Sequence, residues 1–93
     1  MTARYGIILN IVNAYTYNPP MTLSSMNPGE IATIISIHTD EALHQRLLAM
    51  GFRAGKTIQL IRKAQFSGPL QVRIGTTDIL LRKAEAEKIM VQT

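Results

Sequence analysis

The spacing of apolar and polar positions changes period along the chain. Residues 31 to 37 read Ile-Ala-Thr-Ile-Ile-Ser-Ile behind the turn formers Asn27-Pro28-Gly29-Glu30, a β-branched run that predicts a largely buried strand. A helix is expected over about residues 40–50, because Leu43, Leu47 and Met50 fall at i, i+4 and i+7 and form one stripe. Thr39 or Asp40 is placed to cap it, Asp40 and Glu41 suit the positive end of its dipole, and Gly51 stops it. Leu48 lies off the stripe and projects with Glu41 and His44. Beyond Gly55 the period returns to two: residues 57–64, 70–74 and 78–82 read as strands, with Leu70, Val72 and Ile74 alternating with Gln71 and Arg73. Residues 84–88 suggest a single helical turn before Ile89-Met90-Val91 closes the sheet. The expected class is therefore mainly β, a closed or nearly closed barrel of about five strands with one short α-helix.

Asn18-Pro19-Pro20 divides the chain, since two prolines remove backbone donors and hold the backbone extended. Residues 21–93 form the expected domain. Residues 1–20 are an extension whose first part is β-prone, with Tyr5, Ile7, Ile8, Ile11, Val12, Tyr15 and Tyr17; it adds a strand to a barrel edge, stays disordered, or comes from a misplaced start codon, Met21 being a plausible beginning. Its apolar run at Gly6 to Val12 is far short of the ~20 residues of a membrane span, and it lacks the flanks of a secretory signal.

At 93 residues there is room for one domain. The absence of cysteine excludes disulfides, thiolate metal sites and Cys nucleophiles. The formal charge is +4, with ten Lys and Arg against six Asp and Glu, and all of the bases except Arg4 fall between Arg46 and Lys88. This mild bias favours an acidic protein surface or an anionic membrane face.

Gly51-Phe52-Arg53-Ala54-Gly55-Lys56-Thr57 is not a phosphate-binding loop. Its glycines are one residue too close together, and it follows a helix and opens a strand, the reverse of the required order. No serine has the context of a nucleophile elbow, and the carboxylates are accounted for by helix polarity and surface charge, so catalysis has little support. His38, Asp40, Glu41 and His44 are the one cluster with metal-ligand chemistry. The two acids already suit a first helical turn and the histidines lie on different elements, so His38 and His44 are weak candidates and no cofactor is expected.

The order of these motifs, from Asn27-Pro28-Gly29-Glu30 through the helix and joint at Arg46 to Gly55 to the closing Leu81 to Val91, resembles the FeoA domain family. The likeness runs from about Met21 to Val91. Ala54 stands where proline is usual in that family, and Gln65-Phe66-Ser67-Gly68-Pro69 replaces a turn that often reads Leu-Gly-Asp-Pro; both departures lie in turns. The resemblance implies a small SH3-like β-barrel without chemistry of its own. It further implies a cytoplasmic accessory, peripheral to the inner membrane, of the ferrous iron transporter FeoB, a membrane protein with a G-protein domain. The family's link to iron is what draws attention to His38 and His44.

On this reading the barrel displays a contact surface around the helix end, formed by Arg46, Leu48, Phe52, Arg53 and Lys56, where off-stripe apolar side chains sit beside bases. The competing reading has Phe52 plugging the barrel and Leu48 packed beneath the N-terminal segment. Other functions weighed are nucleic-acid binding, which the basic charge favours and the shortage of aromatic rings opposes, and a metal-responsive regulatory domain like those attached to some iron-dependent repressors.

Overall fold

A computed structural model describes residues 18–93; the expected extra strand before residue 18 lies outside them. Six antiparallel strands form one sheet in the order β1-β6-β2-β3-β4-β5, where β1 is Met21–Thr22, β2 Ile31–Ile37, β3 Thr57–Lys63, β4 Leu70–Ile74, β5 Thr77–Leu81 and β6 Ile89–Gln92. Helix α1 spans Glu41–Ala49, the single turn α2 spans Lys83–Ala86, and a 3-10 turn covers Leu23–Ser25. Five strands stand where the alternation predicts them, with ends shifted by about one residue. The sixth, β1, is only two residues long, and a period cannot be read from a pair.

Breaks in register bend the sheet. Between Ile34 and Ser36 the pairing of β2 with β6 shifts, and between Leu60 and Arg62 that of β3 with β4 does the same. Each bulge adds a residue to one strand and sharpens its twist, which curls the sheet around one core. The edges β1 and β5 do not pair; the 3-10 turn that follows β1 and the turn α2 that follows β5 contact each other. Leu23, Met26, Ile34, Leu47, Phe52, Ile58, Leu60, Val72, Leu81, Ile89 and Val91 fill the interior, and no polar or charged residue is buried among the described residues.

One expectation for β2 is corrected. Ala32 and Ile34 are buried, but Ile31, Thr33 and Ile35 face outward, Ile31 being 56% exposed. A strand of a one-layer curled sheet has a wet face, and β-branched residues fit either face, so a run of them does not imply burial on both.

The ends of the described chain are fastened together. The Asn18 carbonyl accepts from Gln92 Nε2 at 2.6 Å, and Asn18 Nδ2 donates to the Thr93 carbonyl at 3.3 Å.

Candidate contact surface at the helix end

Asp40 caps α1, its Oδ1 accepting the Leu43 amide at 2.9 Å. This satisfies one of the four amides that a first turn leaves unpaired. Leu47 is fully buried, and Leu43 and Met50 are half-buried against the core, as the stripe predicts.

At the other end Gly51 takes φ +101°, which side chains with a Cβ rarely adopt. Its amide reaches the Leu48 carbonyl at 3.0 Å and the Phe52 amide reaches the Leu47 carbonyl at 2.9 Å. Those two bonds make a Schellman motif, in which the residue after the glycine packs back on the last helical turn. Phe52 and Leu47 accordingly share the core, Phe52 at 0% exposure. Phe52 is thus removed from the proposed contact surface; it plugs the barrel. A glycine stop followed by an aromatic is the sequence pattern of that C-terminal packing contact.

The chain then turns through Arg53 to Lys56. The Lys56 amide donates to the Arg53 carbonyl at 3.1 Å, with Gly55 at φ +91° in the third position of the turn, the position that requires left-handed backbone in a type II turn. Ala54 holds the second position, where proline suits the geometry without being needed. Two further bonds stitch the turn to β2: Gly55 amide to Ile34 carbonyl at 2.8 Å and Ile34 amide to Lys56 carbonyl at 2.9 Å.

Of the expected surface residues, Arg46, Arg53 and Lys56 are exposed and Leu48 is half-buried. Lys56 borders a shallow groove with Ile31, Thr57, Arg73 and Ile74, so Ile31 is the exposed apolar neighbour that sequence reading placed in the core instead. Arg46 has a structural task as well, its Nη2 donating to Glu85 Oε2 at 2.8 Å and tying α1 to α2. His38 is exposed, with Nε2 within 2.8 Å of Ser36 Oγ, and His44 is half-buried on α1. The structure does not bring His38, Asp40, Glu41 and His44 together, and no group of three or more His, Asp or Glu side chains is placed to hold a metal ion among the described residues.

Two carboxylates are held below the usual carboxylate range. For Glu85 the Arg82 amide, which donates to Oε1 at 3.0 Å, is the main cause; burial opposes it and the Arg46 guanidinium adds to it. For Asp78 the fork of Arg73, with Nε at 2.6 Å and Nη2 at 3.0 Å, comes first and Gln71 second. A carboxyl whose folded value lies below its unfolded value stabilises the fold above the unfolded value, and this contribution is lost as pH falls through the folded one. Melting temperature is therefore expected to stay level around neutrality and to fall below about pH 4.5. Glu85→Gln keeps an acceptor for the Arg82 amide but removes the charge. It should flatten part of that acid slope while costing only ~0.5–1 kcal/mol at pH 7, since Arg46 is largely exposed to solvent. Thermal melts by circular dichroism from pH 7 to pH 3 test this; an unchanged slope would remove Glu85 from the acid response.

Comparison with known proteins adds the following. The FeoA domain model matches residues 21–93. Over 72 residues the chain is 35% identical to the Fe(2+) transport protein A/Fe(2+) transporter FeoB fusion protein of Porphyromonas gingivalis, an alignment covering 77% of this chain and 8% of that one. Over 71 residues it is 31% identical to a Campylobacter jejuni protein provisionally named Fe(2+) transport protein A, covering 76% of this chain and 96% of that one. The crystal structure of Stenotrophomonas maltophilia FeoA complexed with zinc, described as a prokaryotic SH3 domain protein, superposes with a TM-score of 0.67 at 32% identity, over 76% of this chain and 88% of that one. The curled sheet is thus an SH3-like fold.

Proposed function

Because the chain belongs to the FeoA domain family, we propose that it is a non-enzymatic accessory of a FeoB-like ferrous iron transporter, modulating Fe(II) uptake by protein contact on the cytoplasmic side of the membrane. The observation that carries this reading is the Porphyromonas gingivalis fusion, in which a similar domain and FeoB share one polypeptide. A domain joined covalently to a transporter is held beside it at high effective concentration, which fits a domain whose work is done by contact with that partner. No helix among the described residues is long and apolar enough to cross a membrane. The helix-end residues Arg46, Leu48, Arg53 and Lys56 offer a half-buried apolar side chain beside exposed bases, the composition of an interface centre with a charged rim.

Co-purification with a tagged FeoB-like transporter from detergent-solubilised membranes, alongside Fe(II) uptake, tests the reading. Leu48→Asp should keep the circular dichroism of the wild type and weaken association about 30-fold, the loss of ~2 kcal/mol typical of a central contact. Arg53→Glu with Lys56→Glu, both on exposed positions, should weaken it as well. Full association by folded forms of both variants would remove this surface, and failure of the wild type to associate would remove the reading itself.

A further inference from the structure

At the tip of the β3–β4 hairpin the Gly68 amide donates to the Gln65 carbonyl at 3.1 Å, and the residues between them, Phe66 and Ser67, have φ of +55° and +62°. This is a type I′ turn, whose two left-handed positions are ordinarily filled by Asn and Gly. Phenylalanine there is strained, and the residue is 96% exposed. Neither burial nor backbone preference within the fold accounts for it.

Cations surround the base of the tip. Ser67 lines one cleft with Lys63 and Lys83 and a neighbouring cleft with Arg82 and Lys83. The acid facing the second cleft is Glu87, which lies 3.9 Å from Lys83. Lys63 and Arg82 make no ion pair among the described residues. A single projecting ring, adjacent in the turn to the serine that lines clefts holding Lys63, Arg82 and Lys83, matches an anionic bilayer surface: the ring enters the boundary between headgroups and acyl chains while the cations, which outnumber the one acid lining the clefts, meet phosphates. Free phosphate would leave the ring in water. A nucleic acid would call for a row of rings on which successive bases stack.

We propose that the β3–β4 hairpin tip docks the protein on an anionic phospholipid surface, with Phe66 inserted and Lys63, Arg82 and Lys83 on the headgroups. This goes beyond the transporter reading and does not depend on it. The full chain contains no tryptophan, so Phe66→Trp puts a single indole at the tip. Its emission should shift to the blue with phosphatidylcholine vesicles containing phosphatidylglycerol but not with phosphatidylcholine alone, and added salt should reverse the shift. Removing Lys63 and Lys83 together as glutamines should weaken vesicle binding about 25-fold, at about fivefold for each charge near such a surface. In co-sedimentation without a probe the wild type should pellet with the anionic vesicles and Phe66→Ser should remain in solution. An equal shift with neutral vesicles, a shift caused by inorganic phosphate or by single-stranded RNA in their place, or co-sedimentation of Phe66→Ser at the wild-type level would each overturn the proposal.

Discussion

Leu47→Asp is expected to leave no folded protein at room temperature. Leu47 is the one fully buried residue of α1, and it packs in a cluster that holds no buried polar or charged group among the described residues. An aspartate there would face apolar side chains with no donor to meet it. Burying an unpaired charge is among the few single changes that cost more than ~4–5 kcal/mol, as much as the ~5 kcal/mol of total stability at the low end of the range, where small domains lie. Far-UV circular dichroism and amide chemical-shift dispersion would show the loss. Leu48→Asp, one residue along and half-buried, is its control: the same chemistry rotated by ~100° around the helix should be tolerated. A dispersed spectrum from Leu47→Asp would mean that α1 presents a different face to the barrel.

Phe52→Ala should cost ~3–5 kcal/mol, the range for deleting a fully buried aromatic. Phe52 joins three elements, lying just after the Gly51 turn, within the core and ahead of the 53–56 turn that is stitched to β2. Its removal would open a cavity where α1 meets the sheet and release the helix C-terminus. Urea unfolding should show a midpoint lowered by more than ~1 M, given a slope of ~1–3 kcal/mol per molar for small proteins. A shift of only a few tenths molar would imply that neighbouring residues collapse into the space. The same variant separates core from surface, since a mere contact residue would change association and leave the midpoint in place.

Local pattern carried α1 almost completely: Asp40 as cap, Leu47 as buried stripe residue and Gly51 as stop all follow from spacing and capping chemistry. β4 was equally open to reading, because Leu70 and Val72 alternate with Gln71 and Arg73 in a strand with one wet face. Phe52 is open to both readings in the sequence, surface or plug, because helical periodicity ends at Met50; its burial is decided by the two backbone bonds around Gly51, which no stripe records. Ile31 was misplaced for the opposite reason: β-branched composition reports fitness for a strand and is silent on which face is wet. The adjacency of β2 to β6, together with the shift between Ile34 and Ser36, arises from closing distant segments into one sheet, and short-range pattern does not encode it. In the contact surface the bases Arg46, Arg53 and Lys56 were legible by charge and position. The partnership of Arg46 with Glu85, 39 residues away, was not.

The bonds joining Asn18 to Gln92 and Thr93 bear on how such a domain can be combined with others. With Asn18 and Thr93 on one seam, the barrel of residues 18–93 resembles a bead strung by a single knot: polypeptide attached on either side of that span departs from the same spot, and little of the remaining surface is spent on the tether. Modules whose termini lie close together accept grafting into longer chains with little disturbance. A standalone form and a covalently joined form can therefore share the same interior, differing only in what is tied at that seam.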